Sequence, residues 1–157
     1  MKKRILALLV VLSVLMSLCS CNLLFGSVAE EGDVTVVVEA ADGSFEVYKT
    51  YLETVENKSE GAKGVVENLR DREKDPLHLE MVDSTYGAYV SAIGSIKEDL
   101  VEKKYVIVYT SVASDSYEGA PTVDYEGTTL YQAGLGLSGM KVEAGTVILF
   151  RLEVSPY

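Results

Sequence analysis

Carboxylates are the most numerous side chains in this sequence that could do chemistry. Asp71, Glu73 and Asp75 alternate with Arg72 and Lys74 just after an apolar helical pattern ends. A carboxylate pair that performs acid–base catalysis needs one member in an apolar site, where burial raises its pKa. No acid in this segment is surrounded by apolar sequence, and alternating charges are typical of a solvated face. The pattern therefore predicts a charged exterior surface and no catalytic pair.

Two further acidic segments could offer oxygen ligands to calcium. Asp115 and Glu118 precede one glycine, and Asp124 and Glu126 precede another. Neither segment has the alternating oxygen ligands and closing glutamate of a known calcium loop, so we interpret both as solvated turns. The single histidine, His78, has no second histidine with which to share a metal or a proton. The sequence therefore predicts neither a metal site nor an enzyme.

Tyrosine is the residue type that offers most to a ligand. The chain has 10 tyrosines, 3 phenylalanines and no tryptophan. A tyrosine combines a flat apolar body with a polar tip, which suits contacts with planar ligands, sugars and proteins. Ordinary sheet packing is the alternative, because tyrosine is also a good strand residue on half-buried faces. We predict a ligand-binding site from seven tyrosines: Tyr86, Tyr89, Tyr105, Tyr109, Tyr117, Tyr125 and Tyr131.

The predicted strand at 105–112 suggests how these tyrosines are presented. Alternation places Tyr105, Ile107 and Tyr109 on one face and the intervening valines on the other. One face must pack on a helix, so we expect the tyrosine face to be open. Residues 114–128 are expected to form a long acidic loop above it, since loops beyond about 12–15 residues tend to be functional or disordered. These surroundings favour a neutral or cationic, partly apolar ligand.

The first twenty residues have the order of a secretory signal peptide. Lys2, Lys3 and Arg4 precede an apolar run at 5–18, and a basic start before an apolar region is typical of such signals. The run has 14 residues, whereas a membrane span needs about 20. The alternative is an uncleaved anchor that extends to Phe25.

The end of this run, Leu18-Cys19-Ser20-Cys21, resembles the lipobox of bacterial lipoproteins. The resemblance implies cleavage before Cys21 and acylation of that cysteine. Acyl chains would hold the protein on a membrane stably, since each buried methylene contributes about 0.8 kcal/mol. It further implies an extracytoplasmic location, anchored to the bacterial membrane, with residues 21–32 as lipidated cysteine and short tether.

Composition excludes several classes of protein. The 157 residues are 48% apolar, which is too apolar for a disordered chain and suits one domain. The chain has 24 acids and 14 bases, a net charge of −10. Without Lys2, Lys3 and Arg4 the exported part would have 11 bases and a charge of −13. Nucleic-acid binding is not expected, because it depends on cationic side chains that neutralise phosphates.

The order of predicted elements indicates an α+β fold. Residues 34–40 and 45–52 form a hairpin around Asp42-Gly43, because Asp-Gly supplies the positive φ of a tight turn. A helix follows from Ser59 as N-cap and ends before Pro76. Its apolar stripe is Ala62, Val65, Val66 and Leu69. Further strands are predicted at 77–82, 86–93, 105–112, 128–133 and 147–154. We expect a β-grasp-like arrangement in which a mixed sheet wraps around one main helix.

Four segments together resemble the transcobalamin-like C-terminal domain. They are Glu60-Gly61-Ala62 with the helix after it, the strand at 84–94, the strand Tyr105-Val-Ile-Val-Tyr109, and the closing turn and strand at 137–150. The resemblance covers residues 34–154 and defines a domain at 33–157. It implies a β-grasp fold of the soluble-ligand-binding type and a cobalamin-like, corrinoid ligand. No resident cofactor is expected.

These observations lead to two hypotheses for function. The first is an exported, membrane-anchored surface lipoprotein whose single domain binds a soluble ligand or a partner protein without chemistry. The alternative is a structural or adhesive module of the cell envelope. A deep site lined by tyrosines would favour ligand binding, whereas a flat exposed apolar patch would favour adhesion.

Overall fold

The structure, a computed structural model, describes residues 31–154. The predicted signal peptide, Cys21 and most of the predicted tether lie outside the described residues. Within the described range, no helix has the length and apolar character needed to cross a membrane.

Nine strands and one α-helix make up the described part of the chain. The first three elements are β1 (Val34–Glu39), β2 (Phe45–Thr50) and α1 (Ala62–Asp71). They are followed by β3 (Leu79–Ser84), β4 (Gly87–Ile93), β5 (Ile96–Lys97), β6 (Lys104–Thr110), β7 (Thr122–Tyr125), β8 (Thr128–Gln132) and β9 (Val147–Val154).

The main sheet has six strands in the order β2-β1-β9-β6-β8-β7. Strands β1 and β9 are parallel and the other neighbours are antiparallel, so the sheet is mixed. A second sheet has the order β3-β4-β5. The main sheet is strongly curled. Its two edge strands meet, since Phe45 in β2 contacts Tyr125 in β7 with ring centroids 5.3 Å apart. Within residues 31–154, the predicted α+β class with a mixed sheet and one α-helix is confirmed.

The first hairpin forms where the sequence predicted it. Strands β1 and β2 pair from Val34 with Thr50 to Glu39 with Phe45. In the turn, Gly43 has a φ of 82° and the Asp42 Oδ1 accepts a hydrogen bond from the Ser44 N–H at 2.9 Å. Local chemistry therefore specifies this element.

The helix buries the predicted stripe but begins later than predicted. Ala62, Val65, Val66 and Leu69 are all buried in the core between the helix and the sheet. Ser59 is not the N-cap, because residues 58–60 form a short 3₁₀ turn and Gly61 precedes the helix with a φ of 57°. A side chain at Gly61 would collide with the backbone carbonyl of Met140. Long-range packing thus sets the start of the helix.

The main sheet has an apolar cluster on each face. The larger cluster contains the helix stripe together with side chains such as Val36, Val106 and Phe150. The smaller cluster, on the opposite face, consists of Val37, Tyr109, Tyr125, Leu130 and Leu149. The curl of the sheet, which brings Phe45 against Tyr125, encloses this second face and packs Tyr125 and Leu130 of β7 and β8 into the cluster.

The predicted long loop at 114–128 is wrong in its second half. Residues 122–125 form β7, which pairs with β8 from Thr122 with Tyr131 to Tyr125 with Thr128. Glu126 and Gly127, at φ of 47° and 80°, make the two-residue turn that joins them. Positive φ at both positions is typical of a tight hairpin, and the acidic composition of the segment obscured that signal.

Candidate functional site

An open cleft of about 490 Å³ lies between β4 and β6. Its apolar walls are formed by Val82, Tyr86, Tyr89, Val106, Val108 and Leu135. Ser84 and Gln132 supply polar side chains, and none of the described residues that line the cleft is charged. Ligand sites typically combine apolar walls with a few polar groups. The cleft therefore suits an uncharged, partly apolar ligand.

Two glycines form one end of the cleft. Gly87 follows the β3–β4 turn with a φ of 102°, and Gly136 lies directly against it. The Gly136 N–H donates to the Tyr86 carbonyl at 3.1 Å. A Cβ at Gly136 would lie 2.5 Å from that carbonyl oxygen and 2.7 Å from the Gly87 Cα. Only residues without side chains allow the two backbones to approach this closely.

Asp115 holds the segment 134–141 that forms one wall of the cleft. Its Oδ2 accepts a hydrogen bond from the Lys141 N–H at 2.6 Å, and its carbonyl accepts one from the Gly134 N–H at 2.9 Å. Asp115 is only 2% exposed. The interpretation of this acid as part of a solvated turn is therefore wrong. Its partners are backbone N–H groups about twenty residues away, which a local pattern does not show.

The wall formed by β6 is partly an unpaired strand edge. Strand β9 pairs with β6 along its whole length, whereas β8 pairs with it only at Tyr109 and Thr110. The Ala133 N–H then donates to the Val108 carbonyl at 2.9 Å, and Lys104 pairs with Asp99 at the other end. Between these points, the edge of β6 that faces the cleft has no partner strand within residues 31–154.

The Glu98 carboxylate lies on this edge. Burial raises the pKa of the Glu98 carboxyl, and a hydrogen bond from the Val106 N–H opposes that rise. The Glu98 Oε1 is buried and has no hydrogen-bond partner in the described part of the chain. Glu98 is therefore a half-buried acid beside β6. Its hydrogen bond with the Val106 N–H offsets only part of the cost of burying its charge.

Only two of the seven predicted tyrosines line the cleft. Tyr86 is 90% exposed at the β3–β4 turn and Tyr89 is 42% exposed on β4. Tyr105 and Tyr131 are half-buried, and the Tyr117 hydroxyl donates to the Gln132 Oε1 at 3.1 Å. Their role in ligand binding remains a prediction.

Tyr109 and Tyr125 lie elsewhere, buried in the smaller core cluster. The expected alternation along β6 is correct, because Tyr109 and Val106 belong to clusters on opposite faces. The expectation that the Tyr109 face is open is wrong, since the sheet curls around this face and packs Tyr109 in one cluster with Tyr125 and Leu130.

Sequence reasoning missed Leu135, Gln132 and the glycine pair of the cleft. The signal that could have found them is Gly134-Leu135-Gly136 after a strand, because closely spaced glycines often mark a close backbone approach.

Tyr109 leads to a prediction about pH. Its hydroxyl donates to the Glu153 Oε1 at 2.7 Å, and burial, followed by this bond, raises the pKa of Tyr109 well above its usual value. An unfolded tyrosine ionises at a pH of about 10, so the free energy of unfolding should fall as the pH rises beyond that value. Tyr109→Phe should lower stability by about 1 kcal/mol at pH 8. The gap from the wild type should narrow at pH 11 in urea unfolding experiments. A gap that stays constant would contradict this prediction.

No protein-family model matches the chain, and no curated protein does. Solved structures do resemble it. One is a crystal structure at 1.30 Å from Ruminococcus gnavus ATCC 29149, described as a "putative metal binding protein". It has a TM-score of 0.52 and 14% identity, over 80% of this chain and 99% of that one. Another is haptocorrin in complex with Cbi, with a TM-score of 0.50 and 13% identity, over 77% of this chain and 24% of haptocorrin.

At these identities the likeness concerns the fold alone. The haptocorrin match supports the predicted transcobalamin-like fold, and this chain spans about a quarter of that protein. Among residues 31–154, no three histidine, cysteine, aspartate or glutamate side chains are grouped so that they could hold a metal ion.

Proposed function

We propose that this protein is an exported, membrane-anchored surface lipoprotein whose domain binds an uncharged, partly apolar occupant, either a soluble ligand or part of a partner protein, in the β4–β6 cleft. The observation that carries the proposal is the cleft itself, which has apolar walls, two polar side chains at its edge and no charged lining residue. The domain holds its ligand without chemistry. A ligand of the corrinoid class is a candidate because haptocorrin, solved with Cbi, has a similar fold.

The same proposal includes a β-grasp arrangement of the domain. Its support is the strand order β2-β1-β9-β6, in which the parallel pair β1–β9 lies at the centre. The helix follows the first hairpin and packs its apolar stripe on one face of these strands. In this arrangement the cleft is at the edge of the four-strand unit, beside the second sheet. An open cleft there would contact one side of a planar ligand.

A charged substitution in the cleft tests ligand binding. Val82 lines the cleft and is 62% exposed, so Val82→Glu should fold normally but place a charge against an apolar ligand. Val101→Glu is the matched control, because Val101 is 89% exposed in the turn between β5 and β6 and does not line the cleft. Thermal shift measurements should include corrinoids and oligosaccharides as probes.

A true ligand present at a hundred times its Kd should stabilise the folded protein by about 2.7 kcal/mol. We expect that stabilisation in the wild type and in Val101→Glu, and its loss in Val82→Glu. A ligand that stabilises all three proteins equally would show that it binds outside the cleft. If no probe binds, the structural or adhesive hypothesis becomes the better one.

The lipid anchor has a separate test at Cys21. Metabolic labelling with a fatty-acid analogue should mark the wild-type protein, because the residues before Cys21 resemble a lipobox. Cys21→Ala should lose the label and accumulate with its leader uncleaved. Cys19→Ala is the matched control and should keep the label. Equal labelling of the wild type and Cys21→Ala would refute the lipoprotein assignment.

A further inference from the structure

We infer that the cleft binds an extended, uncharged peptide segment of a partner protein, which adds as a strand to the unpaired edge of β6. This inference rests on the proposed function of the cleft and names its ligand class. Peptides that add to a sheet edge bind through main-chain hydrogen bonds, and their alternate side chains occupy pockets. The β6 edge offers main-chain hydrogen-bonding groups, and the apolar walls of the cleft offer contacts for the side chains.

The backbone groups of β6 are arranged for such an addition. The Val106 N–H donates to Glu98 and the Val108 carbonyl accepts from the Ala133 N–H. The backbone N–H and C=O groups of Val106 and Val108 therefore point away from β9. Between these two bonds lie the Val106 carbonyl and the Val108 N–H. Within residues 31–154, neither of these two groups has a backbone partner on the cleft side. An added strand would donate a hydrogen bond to the Val106 carbonyl and accept one from the Val108 N–H.

The opposite wall is also a strand edge. Strand β5 pairs with β4 only at Ala92 and Ile93, so the part of β4 at 87–90 that lines the cleft has no strand on that side. The Ala88 N–H there donates to the Ser138 Oγ at 3.2 Å. The cleft is thus a slot between two strand edges, each paired on its other side.

The chemistry of the walls defines the segment that would fit. The whole chain has a net charge of −10, yet none of the lining residues within 31–154 is charged. Gly134 and Gly136 present only backbone to the cleft. An uncharged segment rich in β-branched residues is therefore the expected occupant, since such residues favour the extended conformation.

Glu98 controls access to the edge. Its carboxylate accepts from the Val106 N–H, and a carbonyl of the incoming segment would bond at the same position. Inward-pointing charges on edge strands are one way in which proteins prevent unwanted pairing. A peptide must therefore displace this carboxylate, and removal of the carboxylate should strengthen peptide binding.

The test uses the full chain and a fluorescent, capped peptide of alternating valine and threonine. Two analogues carry N-methyl groups on complementary sets of residues, which removes main-chain donors and leaves the side chains unchanged. Fluorescence polarisation should show binding of the parent peptide and at least tenfold weaker binding of at least one analogue. Glu98→Ala should tighten binding of the parent severalfold. Glu102→Ala, the matched control, removes the same charge from the exposed turn and should leave affinity unchanged.

The outcomes separate this inference from the proposed function. Equal binding of the parent and both analogues would overturn the inference and leave the cleft as a binding site. If the peptide does not bind but a corrinoid or an oligosaccharide does, and Val82→Glu abolishes that binding, the inference is overturned and the cleft remains a binding site. If neither peptides nor small molecules bind, both proposals fail. Self-association of Glu98→Ala without peptide binding, measured by analytical ultracentrifugation, would identify a second copy of this chain as the occupant and overturn the inference.

Discussion

Gly136→Ala is expected to destabilise the protein by about 1–3 kcal/mol or more and to disrupt the end of the cleft where Gly136 meets Gly87. The new Cβ would lie 2.5 Å from the Tyr86 carbonyl oxygen and 2.7 Å from the Gly87 Cα. Both neighbours are backbone atoms, so neither can rotate away as a side chain would. The hydrogen bond from the Gly136 N–H to Tyr86 should be lost when the segments separate. Urea unfolding measures the first effect, and ligand titration measures the second.

Gly139→Ala is the matched control for this experiment. It lies three residues further along the same segment, where a Cβ would approach the Leu135 Cβ at an ordinary 3.5 Å. We expect its urea midpoint to stay close to that of the wild type. If Gly136→Ala unfolds at the same urea concentration as Gly139→Ala, the contact between Gly87 and Gly136 does not define the cleft.

The second large effect is expected in the core. Leu69→Ala should lower the free energy of unfolding by about 2–5 kcal/mol, because it removes a large apolar side chain and leaves a cavity. Leu69 is 1% exposed and belongs to the cluster between the helix and the main sheet. The Leu69 carbonyl also accepts from the Leu77 N–H at 3.0 Å, so the backbone around it is held in place. Limited backbone freedom should prevent the cavity from collapsing.

Arg70→Ala provides the comparison on the same helix. Arg70 is exposed, and its ion pairs with Asp71 and Glu67 lie at the surface. Exposed pairs contribute about 0–1 kcal/mol, so this variant should unfold close to the wild type in urea. A Leu69→Ala midpoint that matches Arg70→Ala would show that the helix does not pack as described.

Ligand binding and core stability are expected to be separable in this domain. Val82, Tyr86 and Tyr89 line the cleft but are exposed, so their substitution should change affinity more than folding. Gly136 differs because it serves both roles. A variant series that includes both kinds of residue can therefore distinguish loss of the site from loss of the fold.

Elements whose signals are local could be predicted from the sequence alone. The Asp42-Gly43 turn predicted the first hairpin, since the geometry of a tight turn depends on residues within it. The stripe from Ala62 to Leu69 predicted the buried face of the helix, since helical periodicity lies within ten residues. Together with the later strands, these elements were sufficient to predict the α+β class.

Which faces are covered, and where a ligand could enter, depends on contacts between segments that are distant in the sequence. Gly87 and Gly136 meet across 49 positions of the chain, and no local pattern links them. Tyr105 and Tyr109 are indistinguishable as strand tyrosines in the sequence, yet Tyr109 is buried because the curled sheet packs it in one cluster with Tyr125 and Leu130. Strand β8 pairs with β6 only as far as Gln132, so the part of the β6 edge that faces the cleft has no partner strand in the described part of the chain. Alternation along a strand separates its two faces, but burial depends on which distant segment packs against each face.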